Sequence, residues 1–327
     1  METKHGQGVL SRVRGSPWAP VAALLALCAG FGAVEPRFLS PDNLRVLAES
    51  GAVPVILAVG MSFVALQGAL DLSVEGVMAL CSLAVAMLAL NSRTSLDLGA
   101  AAIALAVLPG LCAGTLNGLV TTLLGVPPFM ATLGAWSAAL GLAMLLSGGQ
   151  PPLVKDAALR AFGLGRTGPV PNLAAVAVLV LLLGQVLQRH TRFGRCSVAI
   201  GGSEALARQA GLPVDRCKVL AFALSGLLAG LAGVLESLRI GLGHVDIGAG
   251  QMLAAVTAVV IGGTALGNGR GGALPCALGA LLLTVLANGM IFVGVAPEMQ
   301  KGVQGLIILA ASLVAGWHLR ARGRFVP

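Results

Sequence analysis

The sequence predicts an all-α polytopic membrane protein of about ten transmembrane helices, with a faint inverted five-helix repeat, and three observations predict it. Of 327 residues, 57% are hydrophobic and 10% charged, where a soluble domain is nearer a quarter charged. Mean hydropathy is +0.92. No Asp, Glu, Lys or Arg occurs from Leu98 to Val154, from Gly271 to Pro297, or from Gly302 to Leu319. The first run is long enough for two bilayer-spanning helices of about 20 residues, and the other two for one each. Third, basic residues flank the apolar runs in three clusters. These are Lys4, Arg12 and Arg14; Arg189, Arg192, Arg195, Arg208, Arg216 and Lys218; and Arg320, Arg322 and Arg324. That is the positive-inside pattern, and it explains the net charge of +8 without invoking nucleic acid.

Apolar runs and breakers place the spans near 18–34, 51–68, 72–90, 99–124, 127–147, 169–188, 217–238, 251–266, 272–292 and 300–319. Ten spans put both termini and residues 189–216 in the cytoplasm, as the basic clusters demand. The expected divisions are a cytoplasmic tail over 1–17, a transmembrane domain over 18–319 and a second tail over 320–327. Arg12 and Arg14 before the first apolar run resemble a signal peptide, but the run is read as an uncleaved first span.

Two external segments stand out. Ser40-Pro41-Asp42-Asn43-Leu44 reads as the capped start of a short helix ending near Gly51. Gly148-Gly149-Gln150-Pro151-Pro152 is a breaker cluster and therefore a loop. Small residues run through the spans, as in Ser225-Gly226-Leu227-Leu228-Ala229-Gly230-Leu231-Ala232-Gly233, a composition that lets helices pack closely in lipid.

The repeat rests on two short likenesses. Asp71-Leu72-Ser73 resembles Asp246-Ile247-Gly248, and Leu116-Asn117-Gly118 resembles Ala287-Asn288-Gly289. Both pairs lie five spans apart, an odd offset that inverts the second copy, as in many transporters. Chance similarity between Gly-, Ala- and Leu-rich spans is the competing explanation.

Two motifs could carry chemistry. Gln67-Gly68-Ala69-Leu70-Asp71-Leu72-Ser73-Val74-Glu75-Gly76 holds two carboxylates four residues apart within an apolar region. Such groups are costly in a membrane and mark a cavity, a path or a tight pair. Gly68 permits a broken helix there, and a solvated turn at the membrane edge is the alternative. The second motif is Gly201-Gly202-Ser203-Glu204-Ala205-Leu206-Ala207-Arg208-Gln209-Ala210-Gly211-Leu212-Pro213. Ser203 is a good N-cap, Glu204 complements a helix N-terminus, and Arg208 stands at i+4 from it. Gly211 and Pro213 end the turn. A short helix is therefore specified between two spans, either as a docking element or lying on anionic membrane lipid.

Four segments in order resemble one family. Glu204-Ala205 followed by Gly211 and Pro213 looks like the coupling-helix loop of ABC importer permeases. The 68–76 segment, Pro128-Phe129-Met130-Ala131-Thr132-Leu133-Gly134, and Ala258-Val259-Val260-Ile261-Gly262-Gly263-Thr264-Ala265-Leu266 are similar to the permeases for ribose, xylose, arabinose and galactose. The likeness runs from about Phe38 to Trp317. It departs at Ala69, where the family usually has Gly, at Glu75, where a small residue is common, and at Ser203, where Asn is frequent.

The resemblance implies a multi-pass subunit of the bacterial cytoplasmic membrane that pairs with a cytoplasmic ATPase, a periplasmic solute-binding protein and a second permease, identical or related. It implies a small-molecule solute, a monosaccharide such as ribose, with a nucleoside, an autoinducer-type furanosyl compound or a branched-chain amino acid as alternatives. Gln67, Asp71, Ser73, Glu75, Asn117, Thr132 and Asn288 are the expected path residues. Ser203, Glu204, Ala205, Leu206, Ala207, Arg208 and Gly211 are the expected coupling residues.

Other classes fit less well. The chain has no GxxxxGK[ST] loop for ATP, and Gly267-Asn268-Gly269-Arg270-Gly271-Gly272 reads as a turn. An ion-driven transporter needs more charge inside its spans than Asp71 and Glu75. An intramembrane enzyme needs clustered catalytic groups, but His5, His190, His244 and His318 all fall at span ends. The six cysteines show no metal spacing, and no cofactor is expected.

Overall fold

The computed structural model describes residues 19–264 and 267–296, with 299, 300, 302, 303, 305 and 306 beyond them. The expected tails 1–17 and 320–327, and nearly all of the expected span 300–319, lie outside the described residues.

Among the described residues, nine apolar helices stand at the positions of the other expected spans. They are α1 (Ala19–Val34), α2 (Pro41–Leu66), α3 (Val74–Leu88), α4 (Ala101–Leu123), α5 (Pro128–Ser147), α7 (Asn172–His190), α10 (Val214–Ile240), α11 (Gln251–Ile261) and α12 (Ala273–Phe292). Short elements join them: α6 (Ala157–Leu164), the two-residue strands β1 (Arg166–Thr167) and β2 (Val170–Pro171), α8 (Arg192–Gly202) and α9 (Glu204–Gln209). Among the described residues, six helices are long and apolar enough to cross a bilayer, namely α2, α4, α5, α7, α10 and α12. The chain is a polytopic all-α membrane protein.

One expectation fails at α2. The helix that begins after Ser40 does not stop near Gly51 but continues for 26 residues to Leu66. Ser40 caps it as expected, its hydroxyl accepting the Asn43 N–H at 3.3 Å. Gly51 is buried against α12, where an added methyl group would stand 3.1 Å from the Leu281 side chain. A glycine read as a terminator is a packing site, because helix–helix contact overrides its weak intrinsic cost.

The second departure concerns depth. Helices α3 and α11 have 15 and 11 residues, about 22 and 16 Å at the usual rise, too short to cross a bilayer. After α2 the chain turns back into the bundle. The Asp71 N–H meets the Met61 sulfur at 3.4 Å, and Met61 lies five residues, or roughly 7 Å, before the end of α2. The segment after α10 does the same. Gly243 packs beside Leu83 and Ala86 near the end of α3, and Gly248 packs beside Glu75 at its start.

At the centre α4 and α10 cross with almost no side chain between them. Gly110 and Gly114 face Gly226 and Gly230, and a methyl group built on Gly114 would run into the Phe222 carbonyl. In lipid there is little hydrophobic drive between helices, so this close backbone approach is itself the source of cohesion. Helix α10 also packs along α2 and α3, so it is the pillar of the fold.

Candidate functional site

The expected path residues fall in five places. Asp71 is fully buried, 0% exposed, which rules out a solvated turn for it. Its Oδ1 accepts from the Ser73 N–H at 3.0 Å and from the Ser73 hydroxyl at 2.5 Å. Asn117 on α4, also buried, donates through Nδ2 to the Ser73 Oγ at 3.0 Å. Ser225 on α10 stands beside the same carboxylate. The Asp71 Oδ2 and the Ser225 hydroxyl, both buried, have no partner within hydrogen-bond distance among the described residues. Together Asp71, Ser73, Asn117 and Ser225 form one polar cluster where α3, α4 and α10 meet.

Glu75 stands one turn further along α3 and points elsewhere. Its Oε2 accepts the Gly250 N–H at 3.3 Å, at the start of α11. Gln67 ends α2 and reaches the α9 end of the bundle, donating to the Ser197 hydroxyl at 2.9 Å and the Cys217 carbonyl at 3.2 Å. Thr132 is buried in α5 and bonds back to the Phe129 carbonyl at 3.3 Å. Asn288 is not brought to the cluster. It pairs with Asn43 at the far end of α2, amide to amide, at 3.0 and 3.1 Å. Asn43 in turn donates to the Phe38 carbonyl at 2.7 Å.

The residues expected to couple lie at the other end, between α8 and the start of α10. Helix α9 has six residues. Its cap is Ser203, whose hydroxyl accepts the Leu206 N–H at 3.4 Å, and Gly211 turns the chain with φ 74°. Glu204 accepts from Lys218 Nζ at 2.6 Å and from Arg208 at 3.1 Å, and Arg208 also grips Asp215 at 2.5 and 3.1 Å. Burial alone would raise the Glu204 carboxyl. The Lys218 ammonium and the Arg208 guanidinium more than reverse this and hold it below its ordinary value.

The apolar residues of α9 are not equivalent. Leu206 is 65% exposed and Ala205 is exposed, whereas Ala207 is 4% exposed and packs inward with Cys196, Ile200, Val214 and Cys217. Ala207, expected as a coupling residue beside Ala205 and Leu206, therefore does not share their exposed face. A helical turn of 100° per residue cannot present three consecutive side chains to one surface. A shallow apolar recess of about 350 Å³ lies beside Leu206, lined by Ala199, Gly202, Ala210 and Leu212 among others.

Sequence reasoning missed Ser225, Asp215 and Lys218. A lone hydroxyl in the Ser225–Gly233 run was a signal, but in a small-residue stripe it reads as packing. Asp215 sits 7 residues from its partner Arg208 and Lys218 sits 14 from its partner Glu204, beyond the reach of i,i+4 rules.

The family model for the permease component of branched-chain amino acid transport systems matches residues 44–312. Among curated relatives, a ribose import permease protein of Escherichia coli is 36% identical over 296 residues, covering 89% of this chain and 91% of its own length. The ribose import permease protein of Bacillus subtilis is 34% identical over 312 residues, covering 95% of this chain and 94% of itself. An autoinducer 2 import system permease protein of Yersinia pseudotuberculosis is 31% identical over 294 residues, covering 90% of this chain and 83% of itself.

Proposed function

The chain belongs to the family of permease components of branched-chain amino acid transport systems, and from that premise we propose that it is the membrane subunit of an ABC importer for a sugar, a pentose such as ribose first. The observation that carries the solute class is similarity over nearly the whole length to two ribose import permeases from different bacteria. A furanosyl signal compound is the second reading, favoured by the likeness to an autoinducer 2 permease.

In this reading the permease sits in the inner membrane with both termini and α8–α9 on the cytoplasmic side. It has ten spans, two of which are completed by α3 and α11, too short to cross alone, together with the non-helical segments before them, 67–73 and 241–250. Two such chains, or this chain and a related one, form the path. A separate ATPase docks on α9, and a periplasmic binding protein delivers the solute at the α6 end. Exposed Leu206 and the recess beside it suit helix-in-groove docking, and the Glu204–Lys218 and Arg208–Asp215 pairs tie that contact to α10. The path runs by the start of α3, where a membrane-buried carboxylate marks function by default. Support for an inverted repeat comes from Glu75 and Gly250. Each lies four residues after its aspartate, Asp71 or Asp246, and the two meet, as equivalent positions do at a two-fold axis.

The test is uptake of labelled ribose in bacteria lacking their own ribose permease, supplied with this chain and the ATPase and binding protein encoded beside it. Saturable uptake abolished by excess unlabelled ribose is expected. Uptake blocked by the furanosyl signal compound and not by ribose would move the reading to the second solute. No uptake of either would overturn both.

A further inference from the structure

We propose that Glu75 is a positioning residue for transport: its carboxylate, given from α3, caps the exposed N-terminus of α11 and ties the two short helices together. The transport half of this rests on the importer reading above; the capping half does not.

The geometry begins with two helix starts that lack caps of their own. Helix α11 opens at Gly250, φ 82°, which has no side chain to offer the first amides. Helix α3 opens at Ser73, whose hydroxyl is engaged with Asp71 rather than with the amides ahead of it. The first amides of a helix have no partner within it. Gly250 is exposed on the chain, and at membrane depth neither lipid nor the helix itself offers its amide an acceptor. Glu75 supplies the missing acceptor for α11, taking the Gly250 N–H at 3.3 Å, and the Met252 N–H faces the same carboxylate.

Charge makes the arrangement more than a cap. Each helix N-terminus carries about half a positive charge. The starts of α3 and α11 lie against one another, since a methyl group on Gly248 would stand 2.7 Å from the Glu75 carbonyl oxygen and 3.1 Å from its Cα. Two like dipole ends that meet repel. Glu75 belongs to the first turn of α3 and reaches the first amides of α11, so one negative charge serves both ends. The nearby carboxylate of Asp246 opposes it only weakly, because that side chain is 75% exposed.

The contact is also unequal in a way that sequence likeness does not suggest. At matching positions of the two segments one copy places Glu75 and the other Gly250. The carboxylate on one side needs bare N–H groups on the other. Opening a path between α3 and α11 requires this bond to break and re-form, so Glu75 sets how readily the two helices part.

Hydrogen–deuterium exchange on the full chain in lipid nanodiscs reads the cap without any solute. With Glu75→Ala, the amides of residues 250–253 should exchange at least about tenfold faster, while those in the middle of α10 stay unchanged. Glu75→Gln, which keeps a neutral acceptor, should give an intermediate rise of about threefold, and it decides the matter if the alanine variant does not insert. Unchanged exchange at 250–253 in the glutamine variant and in any inserted alanine variant overturns the cap. In the assembled importer, Glu75→Gln should lower maximal uptake several-fold at unchanged KM. A raised KM at unchanged maximal rate would make Glu75 a solute contact and overturn the positioning role, as would uptake identical to the parent. If the parent itself carries no sugar, the importer reading fails, and the exchange result still judges the cap.

Discussion

Two acidic centres in this molecule are built on opposite principles. Asp71 is fully buried, its Oδ1 accepting from a hydroxyl and an amide and its Oδ2 unpartnered among the described residues, with Ser73, Asn117 and Ser225 around it and no cation in the cluster. Glu204 is two-fifths exposed and lies between two cations, Lys218 and Arg208. The comparison teaches that the closest charge pairs are not the most consequential. Water screens the Glu204 pairs, so each is worth a fraction of a kcal/mol. Nothing screens Asp71, so its hydrogen bonds decide whether three helices can meet around it.

The largest effect should come from breaking the buried centre. Asp71→Ala leaves the Ser73 hydroxyl and N–H without their acceptor, a loss of about 2–4 kcal/mol from two orphaned polar groups. A thermal melt of the detergent-solubilised protein should fall accordingly. Asp71→Asn keeps the Oδ1 acceptor and offers an N–H to Ser225, so its melt should stay near the parent. If Asp71 serves the path, that variant still loses uptake; normal uptake would confine the residue to structure.

Next in size is the central crossing. Gly114→Val forces α4 away from the Phe222 carbonyl of α10 and should cost about 1–3 kcal/mol by overpacking. An unchanged melt would mean that the two helices slide freely past each other.

The exposed centre predicts a contrast between neighbours. Ala207→Glu buries a charge beneath α9 and should lower the melt, whereas Leu206→Glu should leave it within about 0.5 kcal/mol. Capture of the ATPase by the Leu206→Glu permease should nevertheless be lost. Retained capture would place the docking surface elsewhere, with the 124–127 and 267–272 turns as the candidates.

The smallest effect belongs to the ion pairs. Because the Glu204 carboxyl is held below its ordinary value, 4.5, its contribution is full above that pH and is lost as pH falls through the lower folded value. Glu204→Gln should therefore cost under about 1 kcal/mol at pH 7 and almost nothing once the wild-type carboxyl is protonated. Amide exchange over residues 205–210, followed from pH 7 to pH 4, checks the direction.

The sequence by itself determined the class, the order of the apolar helices, and the capped helix at 204–209. These follow from local quantities: run length, charge placement and cap chemistry at fixed offsets. It also singled out Asp71, Ser73, Glu75 and Asn117 as polar groups that an apolar region has to account for. Only the tertiary structure decided which of them meet. It joined Asp71, Ser73 and Asn117 to an unremarked Ser225, sent Glu75 across to Gly250, and left Asn288 with Asn43 at the far end. It ran α2 through Gly51, turned Ala207 inward, and packed the segment before α11 along α3. The physical reason is common to all of these. A span's hydropathy records that it prefers lipid to water, but which face meets which neighbour depends on close backbone approach and on hydrogen-bond partners tens to hundreds of residues away.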